Sequence, residues 1–216
     1  MKKIENKHLH GLRYKIIEPF LKDIYNSNYV IIKGSPLSMQ AYGNYVHRKS
    51  ADIDLLIIRK DISYFEKVLS KYDFKMNTSN RQDRILCISS SHQLPPYEKG
   101  IMEIDINFDI LWGEYNRKRI DIKEFLSDNI EMEIYGCIVK TLPPLKAMVQ
   151  LLLHHYKEMN SIYHLAGHDS INYNMFKDVY HLWKNNQEEI SLDKLYAISS
   201  EYEIIPYVFY VLYFTK

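Results

Sequence analysis

The segment IIKGSPLSMQAYGNYVHRKSADIDLLIIRK, residues 31–60, decides how this chain folds. It passes from an apolar run into Lys33-Gly34-Ser35 and closes with Asp52-Ile53-Asp54 at the head of a second apolar run. Aspartate is a poor strand former, and carboxylates at the mouth of a buried strand carry a desolvation cost. A pair of them, behind basic Arg48-Lys49, calls for a ligand that offsets that cost.

In a strand, residues i and i+2 share one face about 7 Å apart, so Asp52 and Asp54 project together while Ile53 points into the core. Two acids held side by side repel unless a cation lies between them. Magnesium suits that position, because it takes oxygen ligands and usually shares them with substrate phosphates. Gly34 lets a ligand come close to the backbone. Ser35-Pro36 reads as a helix start, with Ser35 as a cap that can also face a phosphate, and a helix start presents free N–H groups and a positive dipole end. Carboxylates for a metal and a helix N-terminus for phosphates, on adjacent strands, make a nucleotide site.

The surrounding pattern is mixed. Leu12, Ile16, Ile17, Phe20, Leu21 and Ile24 recur at helical spacing over residues 10–26. YVIIKG and DIDLLII read as strands, and ISYFEKVLSKYDF as a helix with Tyr64, Phe65, Val68 and Leu69 inward. RILCIS and IMEIDINFDILW read as two further strands, and YGCIVKTL as a last one. In IMEIDINFDILW, Ile104, Ile106, Phe108 and Ile110 alternate with Glu103, Asp105, Asn107 and Asp109. From Pro143 the pattern turns helical, with one stripe through Leu145, Met148, Val149, Leu152, Leu153 and Tyr156 and another through Met175, Phe176, Val179, Leu182 and Trp183. A boundary near residue 140 separates a mixed half, 1–140, from a helical half, 141–216.

Lysine and arginine total 28 against 27 acidic residues, so no global field gathers a long nucleic acid. Cys87 and Cys137 lie in apolar runs and read as small buried hydrophobes. Nothing resembles an export signal or a membrane span, so a cytoplasmic location is expected. His154-His155, with His164 and His168, invite a metal reading. Adjacent helical residues point about 100° apart, however, so both rings cannot grip one ion, and a polar face or a cleft contact is expected. Lys177-Asp178 reads as a surface ion pair opposite the apolar stripe.

KGSPLS, then Arg48 and KSADIDLLI, resembles the Gly-Ser…Asp-x-Asp signature of the polymerase-β-like nucleotidyltransferase superfamily, and more narrowly its bacterial branch of uncharacterised nucleotidyltransferases. The likeness is good over residues 30–60 and extends to about 112. It implies an α+β fold, a mixed-sheet core flanked by helices and followed by a C-terminal helical subdomain. It further implies that Asp52 and Asp54 bind two Mg²⁺ ions, with Mn²⁺ as a substitute, and that a third acid comes from a later strand. Asp105 corresponds best to that acid. Residues four apart on a strand are about 13 Å apart, so Asp109 cannot serve the same ions and is expected to meet solvent. By the same resemblance Lys33, Gly34, Ser35 and Arg48 hold the NTP, although Arg48 is equally well a solvated loop residue.

The implied reaction moves a nucleoside monophosphate from an NTP such as ATP to a hydroxyl of a small molecule or protein, releasing pyrophosphate. The alternatives are a toxin-like transferase acting on RNA and a nucleotide-binding or antitoxin-like module without turnover.

Overall fold

The computed structural model describes residues 2–48, 50, 52–78, 80–111, 120–161, 165–167 and 173–215, with side chains from residue 8 onward. His164, His168 and Trp112-Gly113 lie outside the described residues. The chain divides into two units, Met1–Met39 with Tyr45–Leu142, and Gln40–Asn44 with Pro143–Lys216.

The first unit is built on a seven-stranded mixed sheet. Its strands are β1 (Tyr29–Ile31), β2 (Asp52–Ile57), β3 (Lys75–Met76), β4 (Tyr97–Lys99), β5 (Met102–Asn107), β6 (Ile130–Ile134) and β7 (Cys137–Thr141), in the order β3-β4-β5-β2-β1-β7-β6. β2 pairs antiparallel with β1 and parallel with β5, which places it at the centre of the sheet. Ile53, Leu55 and Ile57 of β2 face the main core, as do Ile104 and Ile106 of β5, while the alternate residues Asp52, Asp54, Glu103 and Asp105 share the opposite face.

Helix α1 (Lys2–Ile24) covers the core side with Tyr14, Ile17, Phe20, Leu21 and Ile24, all at helical spacing and all buried. Leu12, expected in that stripe, is 50% exposed. Helix α3 (Ile62–Lys71) adds Ile62, Phe65, Val68 and Leu69, while Tyr64, also expected inward, stands exposed. The two inward sets share one cluster, in which Phe20 meets Phe74 at a tilt and Tyr29 meets Phe65 edge to face.

RILCIS is not a strand. Residues Arg81–Ser90 form helix α4, started by Asn80, whose side chain accepts a hydrogen bond from Gln82 N at 2.9 Å. Ile85 and Leu86 remain exposed, and Cys87, expected to be buried, is half-buried. A short apolar run is compatible with either periodicity; the cap residue and the Arg84–Glu66 bidentate pair, both contacts 2.6 Å, select the helix. A second departure is the β6–β7 hairpin. Tyr135 (φ +52°) and Gly136 (φ +80°) form its two-residue turn, both in the left-handed region such hairpins require. A short helix α5 (Ile122–Phe125) precedes it, capped by Asp121.

The second unit is helical: α6 (Pro144–Met159), α7 (Tyr173–Asn185), α8 (Leu192–Glu201) and α9 (Ile205–Tyr213), with the last turn of α2 (Gly34–Tyr42). α6 is buried nearly all round, Lys146, Gln150 and His155 included. Asp178 is not on the surface. It is buried and accepts a hydrogen bond from the Tyr42 hydroxyl at 2.5 Å, while Lys177 is exposed and lies over the Tyr173 ring. Asn185 and Asn186 donate to the carbonyls of Ala41 and Gln40, serving groups that the end of α2 leaves without helical partners. Among the described residues no helix is long and apolar enough to cross a membrane.

The packing assigns very different weights to neighbours on α1. Phe20→Ala should cost about 3–5 kcal/mol of unfolding free energy, whereas Leu12→Ala should stay within about 0.5 kcal/mol of wild type. Urea denaturation of the two variants checks this.

Candidate active site

The parallel register of β2 and β5 sets Asp52 beside Glu103 and Asp54 beside Asp105, on the face away from the main core. Paired strands run about 4.8 Å apart. As a result Asp52, Asp54 and Asp105 bring carboxylate oxygens to within 4.8 Å of one another. Sequence spacing accounts for the first two; the third arrives through strand pairing.

Among the described residues, Lys33 answers this cluster. Lys33 Nζ lies 2.7 Å from Asp54 Oδ1, and both side chains are largely buried. It does not neutralise all three acids. Burial, then the charges of Asp54 and Asp52, push Asp105 up to about 7 against the opposing effect of Lys33. Its Oδ1 is buried with no hydrogen-bond partner among the described residues. Burial and Asp52 likewise raise Glu103 above the ordinary carboxylate range. An acid held near neutrality by its neighbours is an arrangement found at metal and proton-transfer sites.

The loop before β2 is fastened to the site by residues the motif does not name. Arg13 of α1 donates to the Ser50 carbonyl at 2.6 Å, and Ser50 Oγ lies 2.8 Å from Asp52 Oδ1 and 2.9 Å from Asp52 O. Gly34 sits at φ +62°, and a Cβ there would stand 3.2 Å from Ser50 Oγ. Glycine is therefore required twice over, for the turn and for the space. Ser50 was visible two residues ahead of Asp52, but serine is too common there to be read. Arg13 is 39 residues from Asp52 in the chain and gives no local signal.

The expected nucleotide-side residues divide. Lys33 joins the acids. Helix α2 begins at Gly34, so Ser35 lies in its first turn rather than capping it, and it is buried in a hydrogen bond with Tyr14. Arg48 is tied to α2 through its backbone N–H, which donates to Ser38 Oγ at 3.0 Å. Lys33, Gly34, Ser35, Ser50 and Asp52 help enclose a cavity of about 10 Å³, room for about one water and not for a nucleotide. Asp109, expected to meet solvent, is buried: its Oδ1 accepts from the N–H groups of Ile110 at 2.9 Å and Leu111 at 3.1 Å, closing the turn after β5.

The chain belongs to a family described as uncharacterised nucleotidyltransferase, whose model matches residues 23–216. No curated protein matches the sequence. Among solved structures it is similar to the antibiotic-resistance factor ANT(2'')-Ia, whose solution structure is described as revealing substrate-regulated conformation dynamics. The TM-score is 0.53 at 13% identity, over 91% of this chain and 95% of that one. At that identity the likeness is one of fold.

Asp105 predicts a pH signature in chelator-treated protein. Its folded pKa lies above its ordinary 3.8. Below both values the carboxyl costs nothing, and its cost grows as pH rises from about 4 to about 7. Asp105→Asn should therefore match wild type near pH 4 and exceed it above pH 7 by up to about 4 kcal/mol, since one pKa unit is worth about 1.4 kcal/mol and the carboxyl rises from 3.8 to about 7. Thermal melts across that range check it, and a gain equal at both ends would exclude ionisation as the cause.

Proposed function

We propose that this chain, as a nucleotidyltransferase-family member, moves a nucleoside monophosphate from an NTP to a hydroxyl acceptor on a small molecule or a protein. The observation that carries the reading is the convergence of Asp52, Asp54 and Asp105 within 4.8 Å of one another; burial and the neighbouring acids raise Asp105 toward neutral pH. An all-oxygen donor set that includes a buried oxygen without a partner fits a hard divalent cation. Asp52, Asp54 and Asp105 would hold two Mg²⁺ ions, or Mn²⁺. When bound, they supply charge neutralisation for the phosphoryl oxygens and the departing pyrophosphate.

The remaining work falls to the chain's own groups. The acceptor oxygen forms a bond to the α-phosphorus, the bond from that phosphorus to the bridging oxygen breaks, and pyrophosphate leaves with the electron pair. Asp105 receives the hydroxyl proton, a task suited to a carboxylate whose pKa lies near the working pH. Lys33, paired with Asp54 before substrate enters, supplies positive charge that can turn to the phosphates. Gly34 and Ser35 offer backbone N–H groups at the start of α2, and Arg48 adds charge from the loop. Ser35 contributes its main chain rather than its hydroxyl, which Tyr14 already engages. Catalysis is assigned to residues 1–140, with 141–216 as a helical subdomain, in a cytoplasmic protein.

Incubation with labelled NTPs, Mg²⁺ and cell extract tests this directly. Label should pass to a small molecule or protein and pyrophosphate should accumulate. Asp105→Asn should lower turnover by about 10²–10⁴-fold, while Mg²⁺-NTP still raises the melting temperature through its binding. Label on RNA would move the assignment to an RNA-directed transferase. Stabilisation without label would leave a nucleotide-binding module without turnover.

A further inference from the structure

One turn of α6 carries a second set of ligating groups. His154 Nε2 lies 3.0 Å from Glu158 Oε1, and His155 Nδ1 lies 3.5 Å from Glu158 Oε2. One ligand atom from each of the three residues falls within 4.8 Å of the others. The adjacent histidines do diverge around the helix, but Glu158 is i+4 from the first and i+3 from the second, and both positions lie on its side. The common carboxylate brings together two rings whose centroids are 5.7 Å apart. The sequence expectation that this pair could not address one ion is corrected by that geometry.

His155 is the independent sign of a ligand. The residue is 2% exposed, and neither ring nitrogen has an aligned hydrogen-bond partner among the described residues. A buried imidazole is normally bonded on at least one nitrogen, and an exception calls for an ion or water to explain it. His154 and Glu158 are themselves largely covered, at 17% and 28% side-chain exposure.

A divalent ion uses the lone pairs of two neutral imidazoles and the carboxylate together. Zinc binds such nitrogen and oxygen ligands at about 2.0–2.2 Å, which puts neighbouring ligand atoms roughly 3.3 Å apart. The two contacts here bracket that spacing. We propose that His154, His155 and Glu158 form a site for a borderline transition-metal dication of the Zn²⁺ class, separate from the Asp52–Asp54–Asp105 cluster. Two imidazoles select it over Mg²⁺, which prefers oxygen. Three protein ligands leave a further position for water or a small anion.

The test uses the whole chain, chelator-stripped and then held in excess Mg²⁺ so that the all-oxygen cluster is occupied. Titration with Zn²⁺ against a chromophoric chelator should show one tight equivalent, and Co²⁺ should give the visible bands of a low-coordinate nitrogen-containing site. Removing a ligand should weaken binding by at least the ~10-fold that loss of an outer partner costs. Glu158→Gln and His154→Gln should each do this, and the latter, at a partly exposed position, guards against a folding failure at His155→Gln. Asp54→Asn should leave the Zn²⁺ equivalent intact. The proposal is overturned if no equivalent survives excess Mg²⁺, if both ligand variants bind like wild type, or if Asp54→Asn abolishes uptake.

Discussion

Like charges held together against their repulsion are the constraint on which the first unit's acidic face depends. Three carboxylates within 4.8 Å of one another, with Lys33 alongside, are stable only because the strands beneath them cannot slide apart. β2 and β5 are locked by the residues on their other face, where Ile53, Leu55, Ile57, Ile104 and Ile106 are buried. A slip of one residue would reverse both faces, burying the acids and exposing the isoleucines. The hydrophobic effect thus sets a register, and the register sets the electrostatics.

The approach to β2 shows the same economy. Gly34, Ser50 and Arg13 belong to three separate elements and each would be unremarkable alone. Together they hold the Asp52 main chain and side chain in one place, through a left-handed glycine, a hydroxyl and a guanidinium bonded to a carbonyl. In the second unit, Tyr42 and Asp178 form a comparable buried polar contact, and such groups persist in a core when each is satisfied.

How much could be read in advance follows from the range of the forces involved. Periodicity located β1, β2, β5, α1, α3 and α6, because burying one face leaves a repeat in the sequence. It failed for residues 81–90, where no side chain is fully buried and a cap at Asn80 decides the outcome. It failed again for Asp109 and Asp178. Both were read as solvated because aspartate usually is; one is bonded to its own turn and the other to a tyrosine 136 positions away.

The chain by itself determined the pair Asp52 and Asp54, their common face, and the strand–helix–strand frame around Gly34, since all of these are local consequences of alternation and turn chemistry. Tertiary structure decided the rest. Strand pairing chose Asp105 as the partner of Asp54 and set Glu103 against Asp52. Folding brought Arg13 to the Ser50 carbonyl and raised Asp105 to about 7, because burial and the charge of neighbours distant in sequence exist only once the sheet is assembled. The His154, His155 and Glu158 cluster divides the same way: its spacing is written in one helical turn, but the burial of a His155 ring that has no aligned hydrogen-bond partner among the described residues belongs to the packed unit.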